Sequence, residues 1–219
     1  MEVLTIDVGG TNLKVLTSGR SREEIRRKES GPMMGPSEMV ARAHELAGDW
    51  VYDVVAIGYP GPVRDGKPGL EPKNLAPGWV GFNFERAFGK PVRMVNDAAM
   101  QAYGSYEGGK MLFLGLGTGL GSALVADDVL LPLELAHLPF KKGKTYENFV
   151  GDRALKSRGK KKWREMVAEV TDILSKALVV DYVVLGGGNV RHIDELPPLC
   201  RRGDNTNAFM GGFRLWGVH

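Results

Sequence analysis

Asp7 is followed by Val8, Gly9, Gly10, Thr11 and Asn12, a run set between two β-rich stretches at 3–8 and 13–17. Paired glycines at a strand end let backbone N–H groups approach an anion with no Cβ in the way, and Thr11 and Asn12 add side-chain donors. An ionised Asp7 only accepts hydrogen bonds, so it repels phosphate unless a cation stands between them. A Mg²⁺ held by Asp7 through water would meet that need. The same residues make an ordinary β-hairpin with a Gly-Gly turn, and taken alone that is the simpler reading.

These residues need strands to present them, and the chain supplies strands at intervals. A Pro36-Ser37-Glu38 start opens an amphipathic helix with Met39, Val40, Ala43, Leu46 and Ala47 on one face. A buried strand at 51–59 runs into Gly58-Tyr59-Pro60-Gly61-Pro62, 63–80 reads as loop, 84–88 as a short helix, and 91–95 as a strand ending at Asn96-Asp97. A helix over 98–106 follows. The pattern then restarts: strand 111–115, the glycine turn Gly117-Thr118-Gly119-Leu120-Gly121, a return strand 122–126 and a third strand 130–133. A helix is expected at 163–179 on the stripe Met166, Val167, Val170, Ile173, Leu174, Ala177, Leu178. Strand 181–185 delivers Gly186-Gly187-Gly188, and a helix over about 205–215 closes the chain. Two familiar phosphate motifs fail. The run from Gly104 to Lys110 has P-loop spacing, but Met111 stands where Ser or Thr should hold Mg²⁺ and a strand follows. Gly117 to Gly121 leads into a strand and lacks dinucleotide-binding spacing.

Composition narrows the class. Of 219 residues, 43% are hydrophobic and 25% charged, as in a soluble globular protein with a sizeable core. No signal pattern or membrane-length apolar run is present, and the single Cys200 excludes a disulfide framework, so a cytoplasmic location is expected. Net charge is +3 but uneven: residues 141–164 hold ten Lys/Arg against Glu147 and Asp152, a net +8 that leaves −5 for the rest. Such a run is usually a solvated face, yet this asymmetry suggests a polyanionic partner. Nucleic acid is not the expected one, because only Tyr146, Phe149 and Trp163 interrupt the charges.

Three glycine turns and an Asn-Asp pair, each at a strand end and in this order, resemble the sugar-kinase/actin/Hsp70-like superfamily, and within it the ROK-family glucokinases. Val95-Asn96-Asp97-Ala98, residues 116–124 and Leu133-Glu134-Leu135-Ala136-His137-Leu138 are similar to the polyphosphate-glucokinase branch. The resemblance implies an α/β, two-lobed actin-like ATPase (ribonuclease H-like) fold with mixed sheets flanked by helices. Its lobes would be 1–97, joined by a C-terminal helix in 205–219, and 98–204. It implies phosphorylation of the 6-hydroxyl of glucose from polyphosphate and/or ATP with Mg²⁺, by a homodimer. Asp97 would be the catalytic base, although it could equally cap the helix that follows. Asn96, Glu134, His137, Asn74, Gly61 and Glu147 would contact the sugar; without the family pattern, Glu134 and His137 read as surface polar residues. Asp7, Gly9, Gly10, Thr11, Asn12, Lys14, Gly117, Thr118, Gly119, Gly187 and Gly188 would hold phosphates or nucleotide. Two departures matter: the family's cysteine-rich zinc motif cannot be built from one cysteine, so no zinc is expected, and Ala136 replaces a glycine before His137. A short interval between the second glycine turn and Gly186, filled by the basic segment, favours polyphosphate over ATP. The alternatives are a kinase for another hexose or N-acetylhexosamine, and a non-catalytic sugar-binding ROK protein.

Overall fold

The computed structural model describes residues 1–218. The chain divides into two compact units, Met1–Met100 with the segment from Ala208 on, and Gln101–Asn207.

In chain order the first unit contains β1 (Val3–Val8), β2 (Asn12–Thr17), β3 (Arg26–Glu29), α1 (Pro36–Ala47) and β4 (Val54–Tyr59). A small hairpin, β5 (Val63–Arg64) with β6 (Lys67–Pro68), lies in the stretch read as loop; α2 (Phe84–Phe88), β7 (Val92–Asn96) and the start of α3 (Asp97–Ser105), whose residues from Gln101 belong to the second unit, follow. The sheet order is β3-β2-β1-β4-β7, antiparallel from β3 to β1 and parallel from β1 to β7. Every residue of β1 and β4 is buried, the run of apolar residues expected of parallel strands covered on both faces. On α1, Met39, Val40, Ala43 and Ala47 pack inward; Pro36 starts the helix and Gly48, at positive φ, ends it.

The second unit contains β8 (Lys110–Leu116), β9 (Leu120–Ala126), β10 (Val129–Leu133), β11 (Pro139–Lys141), β12 (Lys144–Thr145), α4 (Glu147–Val150), α5 (Asp152–Leu178), β13 (Tyr182–Gly186) and β14 (Cys200–Arg202). Its sheet runs β10-β9-β8-β13-β14 with the same sequence of two antiparallel and two parallel pairings. Finally α6 (Asn207–Arg214) packs into the first unit, where Gly212 lies against Thr5 of β1.

Two expectations need correction. The helix predicted at 163–179 begins at Asp152, and Gly159 (φ 77, ψ 161) breaks it into two runs, so half of the basic segment is helical. Its buried face is Trp163, Val167, Val170, Thr171, Leu174 and Ser175, while Ile173 and Ala177 are exposed. Strand β14, short and unannounced by any apolar alternation, was not foreseen either.

Candidate functional site

The parallel strands β1, β4 and β7 deliver their C-terminal ends to one edge of the first sheet. Register pairs Asp7 with Gly58 and Gly58 with Val95, and Tyr59 with Asn96. The Gly9-Gly10 turn, Gly61 and Asn96-Asp97 therefore leave the same edge, with β7 two strand spacings from β1, about 10 Å. Asn74 reaches this edge from its loop, with its Cβ 3.3 Å from where a Cβ on Gly10 would sit. The glycine turn is closed by Gly9 N–H donating to the Asn12 carbonyl at 3.1 Å. Ser30 braces it, its hydroxyl donating to the Gly9 carbonyl (2.6 Å) and its N–H to the Thr11 carbonyl (2.9 Å). Gly10 and Thr11 N–H groups take no part in these bonds. Ser30 carried no sequence signal, since it pairs with the turn only through β3's position beside β2.

Asp7 is 7% exposed and faces Lys14, its register partner on β2, with Nζ 3.0 Å from Oδ2. Sequence reading had set Lys14 toward phosphate and Asp7 toward Mg²⁺; here each also neutralises the other. The Asn96-Asp97 pair divides its work. Asn96 Oδ1 accepts from the N–H groups of Ala98 (2.9 Å) and Ala99 (3.3 Å), and its Nδ2 donates to the Gly61 carbonyl at 3.0 Å. Asn96 is thus the cap of α3 and the tie to the Gly61 loop. Asp97 is the first residue of α3, its Oδ1 accepting from the Ala98 N–H at 2.7 Å. The capping role weighed for Asp97 belongs mainly to its neighbour.

In the second unit, β8 and β13 end side by side, with Gly115 opposite Gly186. Gly187 has φ 82 and ψ 165, and a Cβ there would overlap the Leu116 carbonyl oxygen, so this crossing needs glycine. Gly188 opens a short 3-10 helix, Gly188–His192, whose Asn189 donates from Nδ2 to the Gly117 carbonyl at 3.2 Å. The Gly117–Gly119 turn is also held by the start of α5, the Asp152 N–H donating to the carbonyls of Gly117 (3.0 Å) and Thr118 (3.3 Å). Asp152 is drawn below the ordinary carboxylate range, first by Lys156 and then by Asn189. A hollow of about 480 Å³ opens at this point, lined by Thr118, Asp152, Arg153, Lys156 and Ser157. None of the last four stood among the sequence candidates; only the local excess of charge pointed to them.

Glu134 and His137 flank the short helix Leu135–His137 after β10, and both are exposed. Ser122 pins this segment, its hydroxyl donating to the Leu133 carbonyl (3.0 Å) and accepting from the Leu135 N–H (3.1 Å), while Ala136 is buried. The Glu147 carboxylate lies against Gly119, beside the second glycine turn. Downstream of His137 the β11–β12 hairpin turns at Lys142-Gly143, both at positive φ, and stacks Phe140 on Tyr146 (4.7 Å) and edge-on to Phe149 (5.1 Å). An aromatic cluster therefore anchors the hairpin. Among the described residues no group of three or more His, Cys, Asp or Glu could hold a metal ion, and no helix is long and apolar enough to cross a membrane.

No protein-family model matches the chain. It is 34% identical over 136 residues to the bifunctional enzyme NanE/NanK of Brucella melitensis, covering 56% of this chain and 26% of that protein. It is 30% identical over 164 residues to the polyphosphate glucokinase of Mycobacterium tuberculosis, covering 66% of this chain and 60% of that protein. The chain thus spans less than two thirds of the length of either relative. Its structure matches the inorganic polyphosphate/ATP-glucomannokinase from Arthrobacter sp. strain KM with a TM-score of 0.80, at 22% identity over 96% of each chain. It also matches a ROK family glucokinase from Streptomyces griseus, solved with glucose and AMPPNP, with a TM-score of 0.74 at 16% identity over 98% of this chain and 99% of that one. The relatives and neighbours are polyphosphate glucokinases and ROK-family sugar kinases, and the fold is the actin-like fold of those enzymes.

Proposed function

We propose that this chain is a ROK-family sugar kinase that phosphorylates the 6-hydroxyl of glucose, with polyphosphate and/or ATP as donor. The observation that carries the reading is the carboxylate of Asp97 at the first turn of α3, on the sheet edge that also presents the Gly9-Gly10 turn. Asn96 holds that helix start and the Gly61 loop together, which fixes where the Asp97 carboxylate is presented. In the reaction, the sugar O6–H gives its proton to Asp97 as the O6–P bond forms and the bond from phosphorus to the departing phosphate oxygen breaks. The shortened polyphosphate, or ADP, carries the electron pair away. Positioning and charge neutralisation supply most of the acceleration.

Asp7 fits a Mg²⁺ that keeps most of its waters, since one carboxylate beside a phosphate turn is the donor set such an ion takes. When bound, the ion would neutralise the charge of the transferring phosphate. Lys14 holds the Asp7 carboxylate in place through their 3.0 Å ion pair. The N–H groups of the Gly9–Thr11 and Gly117–Gly119 turns, with Asn12 and Thr118, bind donor phosphates, and Gly187-Gly188 borders them. Asn74, Glu134 and His137 contact sugar hydroxyls. Glu147, lying against Gly119, belongs with the phosphate turn in this reading, where a carboxylate tolerates phosphate only across a cation. A cytoplasmic homodimer is part of the same proposal.

The test is a coupled sugar-6-phosphate assay with Mg²⁺, using glucose or N-acetylmannosamine as acceptor and long-chain polyphosphate or ATP as donor. Glucose turnover that disappears in Asp97→Asn supports the reading. Turnover only with the acetamido sugar keeps the kinase and removes the glucose assignment. Sugar binding without turnover with either donor leaves a sugar-binding protein.

A further inference from the structure

The ten basic residues of 141–164 are not equivalent. Lys141 is paired with Glu169, and Arg158 lies over the Phe149 ring at 4.4 Å. Arg164 is paired with Asp194 at 2.6 Å and donates to the His192 carbonyl at 2.5 Å. These three are occupied by the fold. Arg153 and Lys160 take no acidic partner within the described residues, and Lys156 meets only Asp152, at 2.6 Å, in an exposed i,i+4 pair of the kind that contributes little and opens readily.

Two of these open or lightly held cations lie at the second glycine turn. Arg153 and Lys156 line the hollow that Thr118 borders, and Asp152 bonds that hollow to the turn. Lys160 follows just past the Gly159 break and acts on the His192 ring. Arg191, on the segment after Gly188, takes no acidic partner among the described residues and meets the His192 ring at 3.4 Å. His192 is held below the ordinary histidine range, first by desolvation and then by the charges of Lys160, Arg191 and Arg164, so these cations crowd one spot. Asp152 opposes them at His192, and Asp194 pairs with Arg164. Beyond Arg164 the character changes: the next hollow, of about 500 Å³, is lined by Glu165, Asp194 and Glu195 as well as Arg164. Cations gathered so densely repel one another, and Lys160, Lys161 and Lys162 open the helical run after Gly159, where positive charge is unfavourable. Helix stability does not account for them. Nor does the hollow suit a nucleobase, since no aromatic or large aliphatic side chain lines it.

We propose that Arg153, Lys156, Lys160 and Arg191 form a lane that binds the trailing phosphates of a linear inorganic polyphosphate, beyond those held at the Gly117–Gly119 turn. The lane rests on the kinase reading for the use of its ligand, although binding itself does not require turnover. It makes a long chain a better donor than a short one, because each further phosphate meets a cation that is open or held only by a weak, exposed contact. The lane stops where Asp194 and Glu195 begin.

The test pairs binding with kinetics. Long-chain polyphosphate carrying a fluorophore is titrated against the full chain, against Lys160→Glu/Arg191→Glu, and against Lys161→Glu/Lys162→Glu. The second pair makes the same charge change but is turned about 100–200° around the helix from Lys160. Expected is at least tenfold weaker binding in the first variant alone, with a shallower salt dependence. In the sugar assay, KM for long-chain polyphosphate rises at least tenfold in that variant and KM for tripolyphosphate by less than threefold. Equal losses in both variants, or in both chain lengths, would overturn the lane, as would no loss at all. Single-stranded RNA of equal phosphate number binding as tightly would overturn it too. If ATP drives the reaction and polyphosphate does not bind, the lane fails and the kinase reading survives. If no donor drives sugar phosphorylation, the kinase reading fails and the binding experiment alone decides the lane.

Discussion

The two sheets follow one plan, three antiparallel strands extended by two parallel ones, and they furnish their first turns differently. In the first unit, Gly9-Gly10 is braced by one hydroxyl, Ser30, and backed by the Asp7–Lys14 pair. In the second, the carbonyls of Gly117 and Thr118 are tied to the start of α5 and to Asn189, and Gly187 crosses directly over Leu116. The first turn is thus braced from one neighbouring strand edge and backed by a buried ion pair, the second tied at several points to α5 and the Gly187–Asn189 segment. A turn that must admit a metal and a reacting phosphate gains from the former; one that anchors a donor gains from the latter.

That contrast can be broken at several points. The largest effect is expected at the end of β7: Asp97→Asn should lower kcat about 10²–10⁴-fold with sugar binding retained, whereas Glu147→Gln, beside the second turn, should act mainly on donor KM. A near-normal rate in Asp97→Asn removes the reactive role from the first unit. Next comes rigidity, read by urea unfolding. Gly187→Ala forces a side chain into a conformation and a space that reject it, and should destabilise the protein by at least about 2 kcal/mol. Gly10→Ala meets only the exposed Asn74 side chain, at 3.3 Å, and should stay within about 0.5 kcal/mol of wild type while raising donor KM. Comparable losses in the two would erase the distinction.

The charge pair gives a smaller effect. Lys14→Met leaves Asp7 buried without its cation and should destabilise by about 1–3 kcal/mol, with millimolar Mg²⁺ restoring part of the melting temperature. No recovery would argue against Asp7 as a metal ligand. The smallest concerns Cys200 on β14, whose thiol burial pushes up to about 11. Alkylation at pH 8 should be slow. Because the unfolded thiol ionises near pH 9 and the folded one later, Cys200's contribution to stability is intact below that pH and is lost as pH rises toward 11. A Cys200→Ser variant should lack this term.

Much of this was legible in the residues. The doubled strand, glycine turn, strand pattern announced two similar sheets, and the turns fell where β1, β8 and β13 end. The division of labour between Asn96 and Asp97 was not legible, because adjacent residues of equal capping power differ only in which side chain the loop at Gly61 engages. The first run of α5 was hidden for another reason. Between Asp152 and Trp163 only Ala154 and Leu155 turn inward, so no apolar period marks the helix and the charges read as a loop. Glu147 was named only as a sugar contact implied by the family resemblance; its position against Gly119, after the β11–β12 hairpin and its aromatic anchor, carried no signal in the sequence.

The return of α6 has a consequence for how the protein is made. Beyond it Trp216 Nε1 donates to the Val55 carbonyl at 3.2 Å, and Arg93 lies 4.2 Å over the Trp216 ring. Residues 101–207 are contiguous in the chain, whereas the first unit is assembled from two separated segments. The sheet that carries Asp97, although translated first, waits for the segment from Ala208 on to cover Thr5. The unit bearing Asp97 is therefore finished last, and a ribosome stalled before Ala208 would hold a first sheet that still lacks its α6 cover.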